Sequence, residues 1–270
     1  RLGRDMLGER AYQKVLGLGL DPSFIQWHDR FPTGTVDVRF DAQQNPDYII
    51  NPDVAYDYIE IRPELQDSVR NAQCFCFGTL AQRAEITRRT LMQLVEIASS
   101  ALLFLDINLR KLCFSPETIT YSLQKANVLK LNHDEVTQLS RILAIHTNSL
   151  PDFCSLMIEK WNLDYCLVTL AEKGAFAQSA QGESLYTPGY KVDLVDSLGS
   201  GDAFSAGFVH KILNGSTMHS ACSFGNLLGA IVATQQGATQ SISAEHIASF
   251  KEQSRERNIE PHLEEYVTFE

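Results

Sequence analysis

The stretch Asp196-Ser197-Leu198-Gly199-Ser200-Gly201-Asp202-Ala203-Phe204 gathers residue types suited to handling an anion. An apolar run ends at Asp196 and small residues follow. Phe204, Phe208 and Ile212 then recur at every fourth position, with Val209 and Leu213 beside them, which predicts a helix over residues 203–213. Gly199, Ser200 and Gly201 therefore stand at a helix N-terminus. Small side chains there let backbone N–H groups converge on an anion, with the positive end of the helix dipole behind them. Asp202 is the odd member, a carboxylate where an anion would bind. A first-turn acid that offsets the dipole is one account of it.

Three more polar clusters follow short apolar runs. Asp106-Ile107-Asn108-Leu109-Arg110 comes after residues 101–105. If the strand continues, alternation puts Asp106, Asn108 and Arg110 on one side. An acid, an amide and a guanidinium suit sugar hydroxyls and an anionic group, and equally a solvated loop with a structural Asp–Arg pair. In Lys130-Leu131-Asn132-His133-Asp134-Glu135, Asn132 can cap the next helix and Glu135 can complete the capping box. The same oxygens can hold water around Mg²⁺, which takes few protein ligands besides phosphates. Thr169-Leu170-Ala171-Glu172-Lys173-Gly174 follows residues 165–168, either as a turn into a hairpin or as a border for phosphates and ribose.

The elements that must position these clusters alternate. Strand-like runs at 73–77, 101–107, 127–131 and 165–170 are interleaved with helical segments at 85–98, 116–125, 133–143 and 152–160. That order implies right-handed βαβ units and a parallel sheet, with ligands beyond the carboxyl ends of its strands. Residues 176–179 and 184–187 predict an edge hairpin. Earlier, residues 33–41 alternate apolar and polar and turn through Asn45-Pro46-Asp47 into Tyr48-Ile49-Ile50, a hairpin with no helix between its arms. A second C-terminal helix is expected over 218–234, capped by Ser216, with Ala221, Phe224, Leu228 and Ile231 as its core stripe. The tail from Lys251 is polar and acidic and receives no role.

At 270 residues the chain suits one large α/β domain or a domain with a small appendage. A formal net charge of −10 argues against broad electrostatic binding to nucleic acid or an anionic membrane. The six cysteines are scattered without a Cys-x-x-Cys, so reduced thiols in a cytoplasmic setting are expected, with Cys74 and Cys76 buried in a strand. No signal peptide or bilayer-spanning run is found. The first residues open in mid-pattern ahead of a helix over 9–16, and further residues are expected to precede them.

Together these residues resemble the ribokinase-like (PfkB-type) carbohydrate kinases. The family signature Asp-Thr-x-Gly-Ala-Gly-Asp-x-Phe is similar to Asp196 through Phe204, followed here by Ser205-Ala206-Gly207-Phe208. Its Asp-x-Asn-x-Arg and Asn-x-x-Glu elements resemble Asp106 to Arg110 and Asn132 to Glu135. Asp106 to Lys111 and Val128 to Asn132 look most like fructokinases. The resemblance implies a mostly parallel, Rossmann-like three-layer α/β fold. Residues 1–32 and 62–270 would form the nucleotide-binding and catalytic core, and residues 33–61 an antiparallel β lid over the sugar.

The resemblance further implies transfer of the γ-phosphoryl of ATP to a sugar hydroxyl, with fructose first among the sugars. Asp202 is the implied general base, Gly199, Ser200 and Gly201 the anion cradle, and Arg110 an added positive charge. Asp106, Asn108, Arg110 and Asp202 are the implied sugar contacts. Thr169, Leu170, Ala171, Glu172, Lys173, Gly174, Gly201 and Asn226 match nucleotide-contact positions, and Asn132 and Glu135 would hold Mg²⁺ through water. Asp196 with the carbonyls of Ala233, Gln236 and Ala238 resembles a loop that holds a monovalent cation such as K⁺. Ribose, 2-keto-3-deoxygluconate or a nucleoside such as adenosine stay open as acceptors, as does a non-catalytic nucleotide- or sugar-binding relative. Two departures stand out. Ala171 replaces the first glycine of a Thr-x-Gly-x-x-Gly turn, which is tolerable only at negative φ. The family's N-terminal strand and Gly-Gly sugar element have no counterpart. A bare two-stranded lid leaves exposed edges, so a homodimer through it is expected.

Overall fold

Asp5 starts the first helix by turning its carboxylate onto the chain around it. One oxygen accepts the Gly8 N–H at 2.7 Å and the other the Thr33 N–H at 2.8 Å. These bonds, Thr33 foremost, hold the Asp5 carboxyl below its usual range. The cap explains why α1 (Met6–Gly17) begins ahead of the expected residue 9.

The computed structural model describes residues 1–40, 46–253 and 256–267, and the chain divides into two units. The first comprises Arg1–Ala101 and Leu109–Thr118, the second Leu102–Asn108 and Ile119–Glu270.

In the first unit, β1 (Leu2–Gly3) pairs in parallel with β2 (Trp27–His28). The expected hairpin is formed by β3 (Val36–Phe40) and β4 (Pro46–Ile50), with Val36 opposite Ile50 and Phe40 opposite Pro46. Of the turn expected at Asn45-Pro46-Asp47, Asn45 lies outside the described residues, while Pro46 and Asp47 already belong to β4. Then come α2 (Pro63–Arg70), for which no helix was expected, β5 (Cys74–Phe77) and α3 (Glu85–Ile97). Cys74 is only half-buried and Cys76 is exposed, contrary to expectation, because residues two apart on a strand share a face and this face is open. Arg83 ties the unit together. Its Nε and Nη2 each donate to an Asp57 oxygen at 2.8 Å, and Nη2 also reaches the Asn51 carbonyl at 2.7 Å. Burial of this bidentate pair makes it a specific clamp, since either group alone would be a costly buried charge.

The second unit holds β6 (Leu102–Asp106), β7 (Val128–Asn132), β8 (Tyr165–Thr169), β9 (Gly174–Ser179), β10 (Ser184–Tyr190) and β11 (Arg257–Asn258). They lie in the order β11-β10-β9-β8-β7-β6. Pairing is parallel for β6–β7 and β7–β8 and antiparallel from β8 onward, so a parallel core carries an antiparallel flank. Phe104, Leu105, Val128, Leu129, Leu131, Leu167 and Val168 have no solvent exposure, the pattern of strands covered on both faces. α4 (Pro116–Lys125) begins in the last piece of the first unit and continues into the second, whose further helices are α5 (His133–Ile142), α6 (Leu150–Trp161), α7 (Ser200–Leu213), α8 (Met218–Ala233) and α9 (Ala244–Gln253).

The start of α7 and the cap of α8 differ from expectation. α7 begins at Ser200 rather than 203, because small residues accept helical backbone without contributing to any apolar periodicity. Thr217, not Ser216, caps α8, accepting the Ser220 N–H at 3.2 Å. Along α8, Ala221 and Ile231 are fully buried, while Phe224 and Leu228 pack against the cluster of Tyr190, Leu227 and Ile231. Among the described residues no helix is long and apolar enough to cross a membrane.

Candidate active site

Three adjacent parallel strands end side by side in the second unit. Register places Asp106 of β6 opposite Lys130 of β7, and Asn132 of β7 opposite Thr169 of β8. The expected clusters therefore share one sheet edge, at the carboxyl ends where open sheets bind ligands.

The N-terminus of α7 meets the same edge. Gly199 is its N-cap at φ 84°, and a Cβ there would stand 2.6 Å from the Ala238 Cβ, so both conformation and space demand glycine. Ser200, Gly201 and Asp202 form the first turn. The Ser200 Oγ is buried and has no hydrogen-bond partner among the described residues. An orphaned hydroxyl at a helix N-terminus fits an anion that brings its own acceptors. Asp202 is exposed, and no hydrogen bond or ion pair engages its carboxylate among the described residues.

Lys130 is the residue the motifs passed over. Its ammonium pairs with Asp106 at 2.8 Å, with side chains 8% and 16% exposed. The Asp106 carboxylate also accepts the Ser205 hydroxyl at 3.2 Å, and that hydroxyl lies 3.0 Å from the Gly201 carbonyl. A Cβ on Gly201 would stand 3.1 Å from the Lys130 Nζ. A buried cation thus underlies the anion cradle and links β6, β7 and α7. The signal was in the sequence: a lone lysine inside Val128-Leu129-Lys130-Leu131 must find a partner when buried.

Asn132 and Glu135 form the expected capping box. The Asn132 Oδ1 accepts the Glu135 N–H at 2.9 Å, and the Glu135 carboxylate accepts the Asn132 N–H at 2.8 Å. This reciprocal pair fixes both oxygen-bearing groups at the strand end, a donor set that suits Mg²⁺ held through water.

The turn after β8 corrects one expectation. Ala171 sits at φ 52°, in the left-handed region, where a Cβ costs about 1–2 kcal/mol. The turn is closed by the Leu170 N–H on the Gly174 carbonyl at 2.7 Å and the Lys173 N–H on the Leu170 carbonyl at 3.0 Å. Because those bonds set the backbone, the alanine inherits the glycine conformation. Ala171→Gly is therefore expected to stabilise the protein by about 1 kcal/mol, raising Tm by about 2–4 °C in a thermal melt.

The remaining candidates fall as follows. β6 ends at Asp106 and Asn108 takes φ 45°, so strand alternation does not carry through to Arg110 as expected. Asparagine tolerates that conformation, which breaks the strand. Arg110 is exposed and belongs to the first unit. Asn226, buried on α8, spends its amide on the Pro188 carbonyl at 2.8 Å. The Asp196 carboxylate accepts the Leu198 N–H at 2.9 Å and the Gly237 N–H at 3.2 Å, joining its loop to the turn that holds Gln236 and Ala238. The Ala233 carbonyl accepts from the Val195 N–H at 2.9 Å.

Comparison with known proteins decides the family. A family model described as pfkB family carbohydrate kinase matches residues 1–245. The chain belongs to this family. It is 28% identical to a fructokinase of Oryza sativa subsp. japonica over 265 residues, covering 91% of this chain and 79% of that protein. It is 26% identical to the aminoimidazole riboside kinase of Salmonella typhimurium over 252 residues, covering 88% and 76%. The fold is similar to the crystal structure of a fructokinase with bound ATP from Xylella fastidiosa, with a TM-score of 0.80, 20% identity and 93% and 84% of the two chains covered. The α/β ribokinase-like fold of this carbohydrate kinase is thus shown together with its family.

Proposed function

We propose that this carbohydrate kinase transfers the γ-phosphoryl of ATP to a sugar hydroxyl, with fructose the preferred acceptor. The observation that carries this is Asp202, an unengaged carboxylate in the first turn of a helix whose N-terminus is otherwise built for an anion. Two negative groups in one place make sense when a neutral hydroxyl stands between them. Asp202 takes the hydroxyl proton, the oxygen bonds the γ-phosphorus, the bond to the bridging oxygen breaks, and ADP leaves. The N–H groups of Gly199, Ser200 and Gly201 carry the charge on the transferring group. Asp106, Asn108 and Arg110 are assigned to sugar and phosphoryl contacts, and the 169–174 turn with Asn226 to the nucleotide. Mg²⁺ at Asn132 and Glu135 supplies charge neutralisation when bound. Asp196, with the carbonyls of Ala233, Gln236 and Ala238, is assigned to K⁺.

The two-stranded hairpin within 33–61 is assigned the lid that keeps water from the phosphoryl, and a second copy of the chain is assigned to its edges. The six cysteines form no disulfide, which supports a reducing, cytoplasmic setting.

ADP release, coupled to a reporter reaction, tests the acceptor across fructose, ribose, 2-keto-3-deoxygluconate and adenosine, in potassium and in choline salts. The expected result is the highest kcat/KM with fructose and a higher rate in potassium. Turnover of another acceptor with none of fructose overturns the fructose assignment. Nucleotide binding without turnover of any acceptor would leave a binding protein.

A further inference from the structure

The acidic tail lies beyond the residues that match the family, yet it is built into the sheet beside the 169–174 turn. β11 pairs antiparallel with Gly189 and Tyr190 of β10. The Arg257 guanidinium lies 3.4 Å over the Tyr190 ring. A turn of 3₁₀ helix, Pro261–Tyr266, follows, burying Leu263 and setting Tyr266 edge-on to Phe176 at 5.5 Å. From this anchored segment two contacts reach the turn directly, and a third runs through Tyr186 of β10. Asn258 Nδ2 donates to the Glu172 carbonyl at 3.2 Å, and Glu260 pairs with the Lys173 ammonium at 2.6 Å. The Tyr186 hydroxyl, on a fully buried side chain, donates to the Lys173 carbonyl at 2.5 Å and accepts the Glu260 N–H at 2.7 Å.

These contacts grip the two residues that follow the strained Ala171. A backbone held in a sparsely populated conformation persists only where its surroundings over-determine it. The turn's own hydrogen bonds close the loop, while the tail and Tyr186 fix the carbonyls of Glu172 and Lys173 from outside. Alanine at 171 and a braced tail are therefore two halves of one arrangement.

We propose that residues 257–266 form a brace that holds the 171–173 turn in its left-handed form and so sets nucleotide affinity, with Asn258, Glu260 and Tyr186 as positioning residues. This rests on the assignment of the turn to the nucleotide. The test uses the full chain carrying Asn258→Ala, alone and with Tyr186→Phe, since neither change alters a charge near Lys173. Loss of the two hydrogen bonds that reach the carbonyls of the turn is expected to raise KM for ATP about five- to tenfold, with kcat at saturation and KM for the sugar within about twofold. Hydrogen exchange at the Lys173 and Gly174 amides speeds up in parallel. Adding Ala171→Gly removes the strain and returns KM for ATP to within about twofold of the parent, a rescue that general destabilisation does not give.

Faster exchange with an unchanged KM for ATP overturns the brace, as does a rise in both KM values and a fall in kcat together. Thr169→Ala separates the two assignments. If it raises KM for ATP while Asn258→Ala with Tyr186→Phe does not, the brace alone fails. If neither affects ATP, the nucleotide assignment fails and the brace falls with it.

Discussion

Asp202→Asn is expected to lower kcat by about 10²–10⁴-fold, the span associated with loss of a positioned general base. The substitution keeps the size and first-turn position of the side chain, so the N–H groups of Gly199 to Gly201 stay where they are. Nucleotide affinity, measured by calorimetry, is expected to hold or to tighten slightly, because a negative charge beside the anion cradle has gone. The joint outcome matters more than the rate alone. Parallel loss of kcat and kcat/KM with retained affinity identifies an interaction made in the transition state. A variant that turns over normally would remove the base assignment.

Lys130→Met is expected to act on both stability and rate. It leaves the Asp106 carboxylate at a half-closed site with the Ser205 hydroxyl as its one remaining partner among the described residues. Breaking a buried pair by removing one member costs about 3–5 kcal/mol, and the residual exposure of Asp106 puts this case near about 3 kcal/mol. In a thermal melt that corresponds to a fall in Tm of about 6–12 °C. Because the lysine also sits against Gly201, kcat is expected to fall beyond what unfolding at the assay temperature explains. The double change Lys130→Met with Asp106→Leu removes both charges and is expected to recover most of the stability without the activity. That split would separate the structural share of the pair from its share in the cradle.

What was legible in the sequence were the features that leave a periodic or positional trace. Apolar runs followed by polar clusters marked the ends of β6, β7 and β8, and the register of the sheet brings those ends together. The Asn132 and Glu135 box was readable because both partners lie within one helical turn. What escaped leaves no such trace. The sign of φ at Ala171 is set by hydrogen bonds closing the turn, and nothing in the side chain reports it. Lys130 stood in plain view without a role, because its partner Asp106 lies on another strand. Ser200 and Gly201 carry no apolar signal, so the true start of α7 was hidden in residues that the periodicity skips. The tail is polar and acidic overall, its few apolar residues show no period, and its anchoring through Leu263, Tyr266 and the Tyr186 hydroxyl follows from tertiary neighbours.

The division of the chain has a consequence for how it is made. The second unit takes Leu102–Asn108 before the first unit receives its last piece, Leu109–Thr118. Synthesis runs in one direction, so the ribosome delivers β6 while the first unit is still unfinished, and β7, its neighbour in the second unit, emerges only later. The usual scheme, in which each domain folds completely before the next appears, does not apply to such an interleaved chain. The element Asp106 to Arg110 straddles the second of these crossings, with Asn108 in its left-handed conformation as the last residue before it. A truncation or fusion placed there would cut each unit into fragments instead of separating the two.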